Sequence, residues 1–207
     1  WFSSDPRIVR PGGPPNAAPN IGFGYVTLYF SGDPEQIVAI YFNPKEGDCL
    51  RVLGPEYADY KRIPPPVKEA ALLSRPENIL PNPQADFRLR NIILGRGKAY
   101  SWCYYYQKGA LAAQFGRWNE NIDWWKKAGR AKRYPRNGYE LLPFIESFLH
   151  MGRWKDAAEL TRLSNHLTPG MDAALCPLWK DARRSDSSSP EQEQVSRQVK
   201  ALLKCKP

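Results

Sequence analysis

Gly116-Arg117-Trp118 and Gly152-Arg153-Trp154 are the same tripeptide, 36 residues apart. Each follows a stretch of helical character and opens another. Ala110-Leu111-Ala112-Ala113-Gln114-Phe115 runs into the first, and Leu142 to Met151 runs into the second. A period in the mid-thirties with a small, turn-forming and aromatic signature points to stacked helical hairpins. Units of this kind hold or present something more often than they catalyse, which weighs against an enzyme.

Working outward from the tripeptides, the pattern is helical from Lys98 onward. Helices are expected over Trp102–Gln114, Asn119–Arg133, Tyr139–His150, Lys155–Leu167 and Asp172–Arg183, with a last one from about Glu191 to Lys204. Pro135-Arg136-Asn137-Gly138 and Pro169-Gly170 punctuate them. Ser189 is placed to cap the last helix and Pro190 suits its first position. Ser188 lies another 36 residues beyond Gly152, so three hairpins are expected over 98–207.

The first half reads differently. Residues 1–20 are rich in Pro, Gly and Asn and read as an extended linker or arm. Residues 21–97 read as a small mixed layer. Tyr25–Phe30 is β-branched and aromatic, a strand, followed by a turn at Ser31-Gly32-Asp33-Pro34. Gln36–Phe42 is a strand or a short helix, and periodicity does not decide for so short a run. Cys49–Leu53 is a third strand, Val67–Ser74 a short helix, and Phe87–Leu94 a returning strand. Residues 55–97 carry too many prolines to stand alone, so the layer is expected to pack on the first hairpin. The fold class is α+β, mainly α.

The chain has 207 residues, 42% of them hydrophobic, with seven Trp and eleven Tyr. That supports a substantial core and large flat packing faces. No apolar run approaches the roughly 18 residues that span a bilayer. The chain begins at Trp1 and reads as a piece whose N-terminal context lies elsewhere. Cys49, Cys103, Cys176 and Cys205 form no CxxC pair, and with His150 and His166 they complete no zinc pattern. Four cysteines permit two disulfides or four buried thiols.

Motifs for catalysis or cofactor binding are missing: there is no G-x-S-x-G, P-loop or dinucleotide fingerprint. Gly22-Phe23-Gly24 and Gly95-Arg96-Gly97 read as turns. His150 and His166 read as packing or capping residues. Glu140 with Glu146, and Asp156 with Glu159, read as solvated helix faces; two carboxylates without a shared cleft do not argue for glycosidase chemistry. Net charge is +9. Lys126, Lys127, Arg130, Lys132, Arg133 and Arg136 carry no acid among them, and Trp124 and Trp125 directly precede. By spacing, Lys126, Arg130 and Arg133 share a helical face. Basic groups beside exposed indoles bind phosphates, headgroups or single-stranded nucleic acid; the plainer reading is a solvated face with both indoles buried.

The second unit resembles a tetratricopeptide repeat. Gly152 and Trp154 sit at the turn, Ala157 falls where that family needs a small residue, Pro169 ends the unit, and Phe144 and Phe148 fill the hairpin interior. Asn121 stands in the first unit where Ala157 stands in the second. A longer resemblance rests on Trp102-Cys103-Tyr104-Tyr105-Tyr106-Gln107-Lys108, Ala110-Leu111-Ala112, Gly116-Arg117-Trp118 and Pro143-Phe144-Ile145-Glu146. Asp33-Pro34, Tyr41-Phe42-Asn43-Pro44 and Cys49–Leu53 fit it too. Over residues 30–170 the chain is similar to the soluble C-terminal region of multi-spanning bacterial membrane proteins related to dolichyl-phosphate-mannose mannosyltransferases. This implies a membrane-embedded part preceding Trp1 and a domain outside the cytoplasm, without chemistry or a cofactor of its own. An oxidising compartment then favours the bridges Cys49–Cys103 and Cys176–Cys205.

The resulting expectation is a non-catalytic accessory domain. Its partner is a protein, or a glycan or lipid-linked substrate of the parent protein, with an anionic membrane surface as a further contact. The expected contact surface is the concave side of the hairpins, with Tyr105, Trp118, Trp125, Phe144 and Trp154. The rivals are a free-standing basic module for nucleic acid or anionic lipid and a secreted carbohydrate-binding or hydrolase domain.

Overall fold

The 36-residue step appears as three helix starts, at Trp118, Trp154 and Pro190. The computed structural model describes residues 21–25, 28–32, 36–43, 49–61, 63–79, 101–182 and 189–205, the first two segments by backbone alone. The expected linker at 1–20, the expected strand at Phe87–Leu94 and the pair Gly95 and Gly97 lie outside the described residues. Seven α-helices are described: α1 (Pro65–Leu72), α2 (Trp102–Gln114), α3 (Trp118–Arg130), α4 (Leu142–His150), α5 (Trp154–Leu167), α6 (Asp172–Asp181) and α7 (Pro190–Leu203). The α+β, mainly α class holds.

The repeated tripeptide is one turn used twice. At the end of α2, Gly116 takes φ +65; its N–H donates to the Ala113 carbonyl (2.8 Å) and the Arg117 N–H to the Ala112 carbonyl (2.9 Å). At the end of α4, Gly152 takes φ +67, with bonds to Leu149 (3.1 Å) and from Arg153 to Phe148 (2.9 Å). This double bond pattern satisfies carbonyls that the helix end leaves open, and glycine reaches the left-handed backbone without a Cβ penalty. Arg117 and Arg153 then cap the next helices with nearly equal angles, φ −86, ψ 63 and φ −89, ψ 66. Each pairs with an acid three residues on, Arg117 with Glu120 (3.1 Å) and Arg153 with Asp156 (2.7 Å). The third start uses a different cap: the Ser189 Oγ accepts from the Gln192 N–H at 3.1 Å.

Helix α3 ends by the same device with Lys132 (φ +53) in the glycine position. The Lys132 N–H bonds Gly129 and the Arg133 N–H bonds Ala128, both at 3.0 Å. The helix therefore stops at Arg130, and the expected extension to Arg133 is corrected. The expected helix over Tyr139–His150 begins as a 3-10 turn, Gly138–Leu141, before α4.

The hairpins meet closely where side chains are small. Ala157 is fully buried. A Cβ on Gly109 of α2 would stand 2.5 Å from the Asn121 Oδ1 and 2.7 Å from the Phe144 ring. Asn121, at the position matching Ala157, is itself fully buried and donates to the Pro143 carbonyl and the Ser147 hydroxyl, both at 2.7 Å. Helix α4 packs against α3 and α5, and α5 against α7. Trp179 of α6 donates to Thr161 of α5 at 3.0 Å.

The strands form two antiparallel ribbons. β1 (Ile21–Tyr25) pairs with β2 (Leu28–Gly32), Tyr25 opposite Leu28. The single strand expected over Tyr25–Phe30 is thus split between two arms. Gly22 and Gly24, read as a turn, lie in β1, and Ser31 and Gly32, also read as a turn, end β2. β3 (Ile40–Tyr41) pairs with β4 (Arg51–Val52), which settles the ambiguous Gln36–Phe42 segment as a strand in part. Pro64 caps α1, with proline at its opening positions, where missing N–H groups cost nothing.

Cys49, Leu53, Tyr57, Tyr60, Ile63, Val67 and Ala71 of this layer share one apolar core with the hairpins. The layer does not rest on the first hairpin alone. Gln114 of α2 donates to the Pro76 carbonyl (2.6 Å), Tyr60 stacks on Tyr139 before α4 (5.4 Å), and Lys61 pairs with Asp172 of α6 (2.7 Å). It therefore runs along the first helices of all three hairpins, and that face is not an open inner surface.

Candidate functional site

Two features at the junction of layer and hairpins stand out: a buried acid and an open groove. Glu140, in the 3-10 turn, is fully buried. It accepts from the Cys49 N–H (2.8 Å), the Trp102 Nε1–H (2.6 Å) and, at longer range, the Arg136 N–H (3.4 Å). The reading of Glu140 as a solvated face is corrected. Arg51, 2% exposed, lies between the Tyr41 and Tyr139 rings at 5.1 Å from each. The Cys49–Cys103 disulfide closes the same junction, and Cys176–Cys205 joins α6 to the end of α7.

Beside this junction, a groove of about 720 Å³ runs between α2 and the layer. On α2, Tyr106, Ala110, Ala113 and Gln114 fall on one stripe by helical spacing, and the small alanines leave the space. Leu50, Val52 and Tyr57 line the layer side, and Trp118, Pro143 and Glu146 also contribute to the lining. Trp118 is half-buried and stacked on His150, ring to ring at 4.0 Å. Glu56 and Glu146 are its two carboxyls, and among the described lining residues there is no Lys, Arg or His.

Burial pushes the Glu146 carboxyl up to about 7, and the Glu56 charge adds to the rise. Glu56 is also raised by burial, offset by its own backbone N–H. Tyr57 is pushed up to about 12, chiefly by burial, with Arg51 opposing and Glu56 and Tyr139 adding. Tyr60 is raised by burial, then by Tyr57, Glu56, Tyr139 and Glu146.

A carboxyl raised on folding binds its proton more tightly in the folded state, so stability falls as pH rises from the ordinary value of 4.5 through about 7. The full effect is about 3 kcal/mol. Glu146→Gln should therefore raise the melting temperature at pH 8 by roughly 5–10 °C and leave it nearly unchanged at pH 4. Equal shifts at both pH values would exclude this origin.

The residues singled out in the sequence are mostly placed in packing roles. Tyr105 and Phe144 are buried, and the expected faces of both are turned into the core. Trp125 meets Trp102 edge-on at 6.0 Å and Phe144 at 5.5 Å. Trp124 meets Tyr104 at 6.0 Å, and Trp154 packs partly buried against the core. Lys126 pairs with Asp123 (3.4 Å), and Lys127 lies 4.0 Å over the Trp124 ring. Arg130 is exposed at the last turn of α3. Arg133 lies beyond the helix end, so it does not continue the face of Lys126 and Arg130. Of these candidates only Trp118 lines the groove.

Comparison with family models, with curated proteins and with solved structures finds no match. Among the described residues, no helix is long and apolar enough to cross a membrane, and no three His, Cys, Asp or Glu side chains gather as a metal set. A second surface groove, between α5 and α7, is bridged by the Lys155–Glu191 ion pair at 2.9 Å. The sequence reading missed Glu56 and Tyr57 altogether and misread Glu140 and Glu146. The available signal was the run Leu141-Leu142-Pro143-Phe144-Ile145-Glu146-Ser147-Phe148-Leu149, apolar around most of the helix, which leaves little solvated face for an acid.

Proposed function

We propose that this chain is a non-catalytic, ligand-holding accessory domain that works outside the cytoplasm, attached to a membrane glycosyltransferase-like protein. The observation that supports a place outside the cytoplasm is that all four cysteines are bonded; the attachment to a glycosyltransferase-like protein rests on the sequence resemblance alone. Disulfides between distant segments persist in oxidising compartments and are rare in reducing ones. The groove at the layer–hairpin junction is the part suited to hold a partner: it is about 720 Å³, within the range of ligand sites, with apolar walls and few polar groups.

The nucleic-acid reading has less support, because the basic run is divided by an ion pair, a cation–π contact and a helix end. The test joins thiol trapping with topology. Cells are acid-quenched, alkylated, and the chain weighed before and after reduction, while a reporter fusion maps the topology of the full-length protein. Four protected cysteines and an external domain behind membrane spans are expected. Four thiols open to alkylation, or a cytoplasmic reporter signal, would overturn the reading.

A further inference from the structure

We propose that the groove between α2 and the layer captures a basic side chain of a partner polypeptide, its ammonium or guanidinium seated between Glu56 and Glu146 and beside the Tyr57 hydroxyl. The inference deepens the accessory-domain reading, and rests on it, by stating the chemistry of the partner.

Three observations converge. First, Glu56 and Glu146 line one groove and neither forms a salt bridge among the described residues, although the chain carries 30 Lys and Arg against 21 Asp and Glu. Two carboxyls that share a groove repel each other and are stabilised when a cation joins them. Second, Tyr57 is only 8% exposed and lines the groove, and its hydroxyl has no hydrogen-bond partner among the described residues. The hydroxyl itself is not sealed from solvent, so it is open to accept a hydrogen bond from a guanidinium lying in the groove. Third, Val52, Ala110, Leu111 and Pro143 give apolar walls. Lysine and arginine lay their aliphatic stems on such surfaces while the charged head reaches a polar group. The Trp118 ring, also in the lining, suits an apolar neighbour of the basic residue.

A divalent cation fits less well, since two carboxylates fall short of the six to eight oxygens that calcium takes. A neutral glycan would leave the acid pair uncompensated. The groove volume of about 720 Å³ lies within the usual range of ligand sites.

The probe is acetyl-Leu-Arg-Leu-amide, with acetyl-Leu-citrulline-Leu-amide as the neutral isostere. Binding is followed on the whole chain by carboxyl-carbon NMR of labelled glutamate and by Trp fluorescence. The arginine peptide is expected to bind at least tenfold more tightly than the citrulline peptide. Saturation should lower the pH at which Glu146 titrates by one unit or more. Glu146→Gln and Glu56→Gln should each weaken binding at least tenfold while melting no lower than the parent, so a loss of binding is not a loss of fold. Equal binding of the two peptides, no binding of either, or competition by maltotriose with no competition by arginine amide would overturn the proposal. So would a Glu146 carboxyl already titrating in the ordinary range in the free protein, since a cation of the chain would then occupy the site. Protected cysteines with no arginine binding would sink this inference alone. Arginine binding by a chain with open thiols would sink the compartment reading and leave the groove.

Discussion

Glu140→Ala is expected to destabilise the protein by about 3–5 kcal/mol, the sum of two stranded buried donors and the vacated volume. The side chain is fully buried and joins three parts of the molecule: the Cys49 N–H of the layer, the Trp102 indole of α2 and the Arg136 N–H ahead of its own turn. Alanine leaves the first two donors in an apolar junction without an acceptor. Each unsatisfied donor costs about 1–3 kcal/mol, and the vacated volume adds a cavity term. Glu140→Gln separates the hydrogen bonds from the shape. It fills the same space but presents one oxygen and one NH2 group, so one donor now faces another donor. A loss of about 2 kcal/mol is expected for it. Urea unfolding measures both, and amide hydrogen exchange at Cys49 reports whether the layer loosens before the hairpins do. An Ala variant within 1 kcal/mol of the parent would show that Glu140 does not pin the two parts together.

What the sequence made legible follows from the range of the interactions involved. Helices α2, α3, α5 and α7 are set by local chemistry, namely glycine stops, a serine cap and apolar spacing, and their starts were readable to within a residue. The splitting of Tyr25–Phe30 into two arms was not, because Val26 and Thr27 continue the β-forming composition and Gly22 and Gly24 disguise β1 as a turn. Glu140 was not readable because its partner Cys49 is 91 residues away, and a buried acid looks like any other acid in a sequence. The groove is formed by residues 50–57 lying against 106–118, segments with no shared motif. The consecutive Tyr104, Tyr105 and Tyr106 illustrate the limit for aromatics: composition marks all three as packing material, and only the tertiary fold gives each its neighbours. The tripeptide Gly116-Arg117-Trp118 carried two kinds of information. Its glycine set the turn, and its tryptophan, placed at the start of α3 by that turn, reaches the groove.

Removing the Cys49–Cys103 bond should cost about 4 kcal/mol in the chain-entropy account, since it closes a 54-residue separation in the unfolded chain. Cys176–Cys205, with a separation of 29, should cost roughly half a kcal/mol less on the same account. Alanine is the suitable replacement at Cys49, which is fully buried, because serine would bring a hydroxyl into the core. The first bond also offers a way to separate two mechanisms. It lies one residue from Trp102 and includes Cys49, so it shares the junction with Glu140. If it acts through the unfolded chain, its loss and the loss of the Glu140 contacts affect different states, and their costs should add to within about 0.5 kcal/mol. If it acts by holding the folded junction together, removing it lets the layer shift, and Glu140→Gln then costs much less in its absence. A double-mutant cycle of Cys49→Ala with Cys103→Ala against Glu140→Gln, followed by urea unfolding, distinguishes the two. Additive costs are expected, because Tyr60 stacked on Tyr139 and Lys61 paired with Asp172 hold the layer to the second and third hairpins whether or not the sulfurs are joined. A coupling above 1 kcal/mol would assign the disulfide to the folded junction instead.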